Sequence, residues 1–279
     1  MTGKTPGNDN KDPAKGLRII STINPTRLIL WLVAITIVSF VIGFSILFLA
    51  SGVPGNTGEP IAAFKLSAIS NSTAFPLDGA SAGNVLLTFG PGNLEISGGS
   101  AGDNLMEATV YAGSAPWEPE VSENTTGPVK TLSVTDKGHH SKEFFAVDAK
   151  RQWKIHLNEQ VPIGLDVTIG VGDSRLDLGD LNLTALNVNA GVGGSEIDLG
   201  GYHGGRFDAM INSGVGDLEL RVPSMSNTRI TTSNGLGDVD VKGLRFDNGA
   251  YVTPGYDSAK PVNEIQIQHK VGSVTLEAV

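Results

Sequence analysis

A short motif recurs along the second half of the chain: glycine, an apolar residue, glycine, a small or acidic residue, then an alternating run. The clearest copies begin at Gly170, Gly191, Gly214 and Gly235, with spacings of 21, 23 and 21 residues. Weaker copies, GPGNLEIS from Gly90 and KVGSVTLEA from Lys270, flank them. Self-similarity at this period is typical of a solenoid, in which no single unit can bury its own apolar face. The motif therefore predicts stacked coils.

Aligned copies alternate with a period of two, which indicates strands with one buried face. Inward positions four residues after the second glycine are Ile96, Leu176, Ile197, Leu220, Val241 and Leu276; two residues earlier they are Leu94, Ser174, Ser195, Leu218, Val239 and Val274. The intervening residues are Glu95, Arg175, Glu196, Glu219, Asp240 and Thr275, followed by Asp177, Asp198, Arg221, Lys242 and Glu277. Stacking would build a mainly aliphatic ladder inside and a charged ladder outside.

A second alternating run precedes three of the motifs: LNVNA (186–190), RFDAMIN (206–212) and TRITTSN (228–234). Its predicted inward residues are Leu186, Val188, Phe207, Ile211 and Ile230. Each repeat is therefore predicted to be two strands joined at a glycine corner. The corner glycines are Gly170, Gly172, Gly191, Gly193, Gly214, Gly216, Gly235 and Gly237. We expect positive φ at these glycines, or coils packed too closely for a Cβ.

Residues 61–279 are predicted to form one all-β domain, a right-handed β-solenoid with coils of about 21 to 23 residues. The N-terminal portion of this domain would cap the exposed strand edges, with a loop at 113–128. The last run, EIQIQHKVGSVTLEA (264–278), would either end a monomer or pair with another chain, since its alternation makes an exposed edge costly.

Residues Leu28–Ala50 contain no charged side chain and are long enough to cross a bilayer as a helix. A cleaved signal peptide is the alternative, but its apolar region would be only about 7–15 residues long. Cations precede the segment at Lys4, Lys11, Lys15, Arg18 and Arg27. The positive-inside rule then predicts a single-pass protein of the cell membrane, with residues 1–27 as a disordered cytoplasmic tail and 51–60 as an outer linker.

The net charge of −9 gives no electrostatic support for nucleic-acid binding. The sequence contains no cysteine, which excludes disulfides, thiol catalysis, a lipoprotein anchor and Cys-ligated metals.

Three stretches resemble the extracytoplasmic toast-rack domain of the LiaF-like cell-envelope stress proteins: 86–113, 153–200 and the SGVGDLEL coil at 213–220. The most specific part is the Trp–Asn–Val-Pro-Ile lead-in before the Gly-Val-Gly, Leu-Asp-Leu and Leu-Asn-Leu run. The resemblance implies a membrane-anchored β-helical sensor or regulator of envelope damage, some relatives repressing a histidine kinase, with no catalytic residues to transfer. The chain departs from the better-known members in having one predicted span.

Acidic residues recur after the Gly-x-Gly corners, which raises the question of calcium: Asp173, Asp217 and Asp238, with Asn93 in the equivalent place. Calcium-binding β-rolls repeat every nine residues, whereas these copies lie at least 21 apart and Gly194 interrupts the series. We therefore predict that these side chains hydrogen-bond the turn backbone.

The histidines also give no metal-ligand spacing, since His139 and His140 lie in a polar stretch and His156, His203 and His269 are scattered. An outward row of Asp177, Asp198, Arg175 and Arg221 could line a polysaccharide-cleaving face, but such charges more often keep a sheet face soluble. No G-x-S-x-G elbow occurs. We predict a protein that is not an enzyme and has no cofactor. Candidate glycosylation sites are Asn71, Asn124 and Asn182.

These observations predict a non-enzymatic binding or assembly module, anchored by one membrane span, that acts in envelope-stress sensing or regulation through an unidentified envelope or membrane protein. The alternative is a structural surface protein, an envelope scaffold or adhesin, which would form ordered homo-oligomers.

Overall fold

Burial alternates residue by residue along most strands, which is the physical basis of the fold. In Ile163–Val171 every second side chain is buried until the corner, as expected for a strand with one face on the core. The computed structural model describes residues 69–112, 119–136 and 151–279, all of which lie in one of two compact units, Lys65–Val279. No helix among these residues is long and apolar enough to cross a membrane. The predicted span at 28–50 lies outside them.

Two mixed sheets contain all the strands of the described residues. In chain order the strands are β1 Ile69–Pro76, β2 Ala82–Pro91, β3 Asn93–Gly98, β4 Asn104–Ala112, β5 Glu120–Thr126, β6 Val129–Thr135, β7 Gln152–Leu157, β8 Ile163–Val171, β9 Ser174–Asp177, β10 Leu183–Val192, β11 Ser195–Asp198, β12 Asp208–Val215, β13 Leu218–Val222, β14 Thr228–Leu236, β15 Val239–Lys242, β16 Arg245–Asp247, β17 Ala250–Val252, β18 Asn263–Val271 and β19 Val274–Ala278. The nine-stranded sheet has the order β1-β4-β7-β3-β9-β11-β13-β19-β15, and the ten-stranded sheet β16-β17-β14-β18-β12-β10-β8-β2-β6-β5. The prediction of an all-β fold is confirmed.

Each repeat is a coil with one strand in each sheet, joined at the glycine corner. The coils are β2–β3, β8–β9, β10–β11, β12–β13, β14–β15 and β18–β19. Neighbouring coils pair in parallel and in register, so that Val188 lies opposite Val167 on one side and Ile211 on the other. The predicted two-strand repeat is therefore correct.

Spatial order departs from chain order at the C-terminal end. The final coil, β18–β19, lies between β12–β13 and β14–β15, so the coil that comes earlier in the chain lies at the end of the stack. The coils of a simple solenoid would be stacked in chain order, and the C-terminal coils are not. The run 264–278 therefore lies inside the stack and does not form an edge. The reason is burial: Ile265, Ile267 and Leu276 are at most 2% exposed, because coils cover them on both sides.

The predicted inward residues form the core between the sheets. Leu186, Val188, Phe207, Ile211 and Ile230 are all buried, which confirms their assignment. The terminal coil is different, since Val239 and Val241 are only half-buried. No further coil packs on that side of β15 among the described residues.

The N-terminal strands pack around the first coil. β1 and β4 pair antiparallel, β4 pairs with β7, and β6 pairs with β2 in parallel. The predicted loop at 113–128 is wrong in part, because Glu120–Thr126 forms β5, paired antiparallel with β6. Every side chain of β5 is exposed, so this strand forms through backbone pairing without the burial period that predicts strands.

Candidate functional site

The glycine corners stack on one another from coil to coil. The second glycine of each corner has a φ of 133° to 143°, a conformation that L side chains rarely adopt. These residues are Gly92, Gly172, Gly193, Gly216, Gly272 and Gly237. A Cβ on Gly193 would overlap the carbonyl oxygen of Gly172, and the Gly193 N–H donates to the Val215 carbonyl at 2.8 Å. The corner is therefore a tight backbone stack.

The first glycines of the motif do not have positive φ, so the constraint at these positions is the space available for a Cβ. A Cβ on Gly191, Gly214 or Gly235 would overlap a carbonyl oxygen of the next coil, belonging to Gly170, Gly191 and Lys270 respectively. At Gly170 the nearest atom would be 3.6 Å away, which is ordinary contact. Two different constraints thus produce one Gly-x-Gly pattern.

The residue between the two glycines points into solvent and forms an aliphatic row, which we call the corner ridge. Val171 is 52% exposed, Val192 50%, Val215 47%, Val271 40% and Leu236 72%. Backbone register pairs them in that order across five neighbouring strands. With strands about 4.8 Å apart, the ridge is roughly 19 Å long.

Beside the corner ridge, polar side chains tie each corner to the next. Asp173 Oδ1 accepts from the N–H of Gly194 at 2.8 Å, and Asp217 Oδ1 accepts from Ser273 at 2.9 Å. Asn93 Oδ1 accepts from the N–H of Asp173 at 3.2 Å. The aspartates therefore bond turn backbone as predicted, but between coils and not within one turn. No three His, Asp or Glu side chains of the described residues converge in a way that could hold a metal ion.

The outer face of the nine-stranded sheet carries the predicted charged ladder, and several of its charges are paired across neighbouring strands. Arg175 Nη1 lies 2.8 Å from Glu196 Oε2, and Lys154 Nζ lies 3.4 Å from Glu95 Oε1. Arg221 contacts four carboxylates: Glu196, Asp198, Glu219 and Glu277. Attraction to Glu219 is the largest cause that raises the Arg221 pKa, and it outweighs the opposing effect of desolvation.

A shallow groove of about 620 Å³ runs between the corner residues and the charged ladder. Its lining includes Asp173, Arg175, Glu196, Asp217 and Glu219. Arg175 bonds Glu196, Glu219 bonds Arg221 outside the lining, and the carboxylates of Asp173 and Asp217 accept from backbone N–H groups. These groups are therefore engaged within the fold, and the described lining offers no pre-arranged acid–base pair.

The histidines do not come together. Nδ1 of His156 on β7 lies 3.0 Å from Ser97 Oγ, within hydrogen-bond distance, and 3.1 Å from the Gly98 carbonyl oxygen. His203 lies exposed in a loop, and His269 is 3% exposed on β18. His139 and His140 lie outside the described residues.

The three sequon asparagines lie on different elements. Asn71 is exposed on β1, and Asn124 is exposed on β5, where its Nδ2 lies 3.4 Å from Thr126 Oγ1. Asn182 is half-buried, and its carbonyl accepts from the Ile163 N–H at 2.8 Å.

Sequence reasoning missed two buried polar features. Ser174 Oγ donates to Ser195 Oγ at 3.0 Å inside the core, so each hydroxyl satisfies the other. Lys130 on β6 is 1% exposed, and its Nζ lies 2.5 Å from Asp78 and 2.6 Å from Glu123. The alternation of KTLSVT places Lys130 on the same face as Leu132 and Val134, which is the signal that could have revealed it.

Residues 65–221 match the family model described as the N-terminal domain of toast_rack (DUF2154), which covers more than half of the chain. The fold is similar to the crystal structure of a candidate cell adhesion protein from Clostridium sporogenes, with a TM-score of 0.68 and 24% identity over 76% of this chain and 100% of that chain. A candidate adhesin from Bacteroides fragilis aligns with 77% of this chain and 99% of that chain, at 11% identity and a TM-score of 0.27. No curated protein sequence matches this chain.

Proposed function

The chain belongs to the family defined by the N-terminal domain of toast_rack, and from this premise we propose that it is a non-enzymatic structural module of the cell surface. In this proposal the corner ridge is where an envelope partner binds. The similarity in fold to a candidate cell adhesion protein supports a surface role, and it favours the scaffold or adhesin alternative over signalling.

The single observation that carries the proposal is the corner ridge. Scattered exposed aliphatic side chains need no explanation, but a contiguous row of them marks a contact site. Val171, Val192 and Val215 are each about half exposed and lie on adjacent strands. Their spacing is held by the glycine stack beneath them, so a partner meets a rigid surface with little ordering cost.

The charged face supports a structural role over catalysis. Arg221 and Arg175 bridge carboxylates on neighbouring coils, which ties the coils together. A general acid or base needs a group free to exchange a proton with a substrate. Side chains that form ion pairs between strands are not free in this way, so catalysis by this charged row is disfavoured.

We further propose that Leu28–Ala50 anchors the domain as one membrane span, with residues 1–27 in the cytoplasm and the right-handed solenoid outside. The uncharged 23-residue run and the cations before it support this arrangement. Residues 51–60 would then act as the tether between bilayer and domain.

Envelope-stress regulation is the second candidate, because the stretches that resemble LiaF-like proteins, 86–113 and 153–200, fall inside the family match at 65–221. In that case the partner would be a kinase or another integral protein, and a signal would have to pass through one helix. Dependence of the contact on stress distinguishes this function from a scaffold.

Site-specific photo-crosslinking in intact cells tests the proposal. A crosslinking amino acid replaces Val192 in the full chain, with Ser233, exposed on β14, as the control position. We expect Val192 to capture the same envelope partner with and without a membrane-active antibiotic, and Val215→Lys to abolish capture. A partner captured only under the antibiotic would favour regulation. Capture from Ser233 that equals capture from Val192 would contradict the ridge as a binding surface.

A further inference from the structure

The nine-stranded sheet ends at β15, and the two strands of this terminal coil are covered differently. β14 pairs with β18 on one side and with β17 on the other, where Arg229 and Ile230 lie opposite Val252 and Tyr251. Within the described residues, β15 pairs only with β19. One side of β15 therefore presents an open strand edge.

Backbone direction identifies the open groups on β15. The Val274 N–H donates to the Asp238 carbonyl at 2.9 Å, so the backbone of Asp238 faces β19. Along a parallel strand the direction alternates with each residue, so that Asp240 also faces β19. The N–H and C=O groups of Val239 and Val241 then face away from the sheet. Unpaired groups of this kind invite pairing with another strand.

β15 is not too short or too polar to pair. It has four residues, like β9 and β11, which each pair on both sides. Its Val239 and Val241 are half-buried because no side chains cover them beyond the edge. A partner strand would thus bury apolar surface as well as backbone.

We propose that β15 pairs antiparallel with β15 of a second copy of this chain about a two-fold axis, with Val241 opposite Val241 of the second copy. In this register Asp240 lies opposite Lys242 of the second copy, and Lys242 lies opposite Asp240. On the β19 side Asp240 lies opposite Thr275 and Lys242 opposite Glu277, and neither side chain is within ion-pair distance of another described residue. The pairing therefore joins two opposite charges twice, by symmetry.

Alternative registers are weaker. A slip by one residue would place the apolar side chains of one copy on the charged face of the other. A slip by two positions in one direction would set Lys242 opposite itself, and like charges directly opposite are destabilising. A slip in the other direction would set Asp240 opposite itself and would leave only Asp238, which precedes the strand, opposite Lys242. Within β15, charge and alternation therefore favour the register centred on Val241, and the occupant is a second copy because the strand is complementary in charge to itself.

This inference deepens the proposed function and rests on it, because a two-fold pair would display two corner ridges and bind a multivalent envelope partner more tightly. Pairing about a two-fold axis uses β15 of both copies, so it closes at a dimer.

Disulfide trapping of the full chain tests the pairing. The sequence has no cysteine, so Val241→Cys introduces a single thiol, which an added oxidant can join only to another copy. Directly opposed residues of an antiparallel pair lie within disulfide reach. The matched control is Val121→Cys. Val121 is 39% exposed and lies on β5, an edge strand of the ten-stranded sheet. We expect a crosslinked dimer from Val241→Cys and only background from Val121→Cys.

Charge reversal then tests the register in the Val241→Cys chain. Lys242→Asp should lower the dimer yield by about tenfold, because it replaces two attractions with two repulsions. The swap Asp240→Lys with Lys242→Asp should restore the yield. Equal yields from Val241→Cys and Val121→Cys, or a Lys242→Asp yield that is unchanged, would overturn the proposal. If pairing fails while Val192 still captures its envelope partner, the proposed function stands; loss of that capture with pairing intact contradicts the function instead.

Discussion

Nη2 of Arg221 lies 2.6 Å from Oε1 of Glu219, two places earlier on β13. The same guanidinium lies 3.2 Å from Glu196, 3.4 Å from Asp198 and 3.8 Å from Glu277, on the strands to either side. One cation thus neutralises carboxylates from three coils. Its role is to hold the coils together, since without it four acidic side chains would repel one another across the sheet face.

We expect Arg221→Met to lower the melting temperature of the protein, because the aliphatic stem remains while the four carboxylates lose their counter-charge. The loss should shrink in 1 M NaCl, where the Debye length is about 3 Å. Arg206→Met is the control, since Arg206 is 55% exposed and pairs with Asp208 alone among the described acids. Equal melting losses for the two variants would contradict the bridging role of Arg221.

The glycine stack predicts that the same substitution at equivalent corner positions lowers the free energy of unfolding by different amounts. Gly214→Ala should destabilise the fold by about 1–3 kcal/mol, because its Cβ would overlap the Gly191 carbonyl oxygen. Gly90→Ala should stay within about 0.5 kcal/mol, because no atom of the described residues would lie within 4 Å of the added Cβ. Neither glycine has positive φ, so the comparison isolates the steric effect. Urea unfolding measures both, and similar costs would refute close coil packing as the cause.

The buried serine pair predicts non-additive mutations. Ser195→Ala should cost about 1–3 kcal/mol, because it leaves the Ser174 hydroxyl without a partner in the core. The double variant Ser174→Ala with Ser195→Ala should cost less than the sum of the single variants. Ser213→Ala serves as the control, since the buried Ser213 hydroxyl has no hydrogen-bond partner among the described residues and its removal should not destabilise the fold. Strict additivity in chemical unfolding would show that the pair is not coupled.

Lys130 predicts a pH dependence at the alkaline end. Burial, the largest single effect, lowers its pKa, but hydrogen bonds and charges from Asp78 and Glu123 together outweigh it and raise the pKa above 10.5. A folded-state pKa above the unfolded value stabilises the fold below that unfolded value, and the stabilisation is lost as pH rises through the folded pKa. The urea midpoint of the wild type should therefore decrease as the pH rises above about 10.5, and that of Lys130→Met should decrease less.

Tyr202 also contributes in this range, because burial raises its pKa, but it is common to both proteins. The difference between the wild-type and Lys130→Met profiles is therefore the quantity to compare. Lys154→Met, which removes a half-buried lysine 3.4 Å from Glu95, is the matched control for the loss of a lysine. A Lys130→Met profile parallel to that of the wild type would contradict the assignment.

Much of the core could be predicted because its signal is local. Leu186 and Ile211 alternate with polar residues, and both are buried as expected. The open edge could not be predicted, because Val241 has the same alternation as Leu220, yet Leu220 is fully buried and Val241 is half-buried. The exposure of the corner ridge was hidden for a similar reason. Counted by alternation from Leu186, Val192 falls at an inward position of β10, and only the turn at the corner directs its side chain to solvent.

By itself the sequence determined the repeating unit, two alternating strands about a Gly-x-Gly corner, since side-chain period and glycine conformation depend on neighbours along the chain. Tertiary structure decided the order of the coils. Every coil offers the same parallel backbone edge, so local pattern does not say which coil lies next to which. The coil that buries Ile265 and Leu276 is covered on both sides, and the more polar coil of β14 and β15 is left at the end, because that order removes the most apolar surface from water.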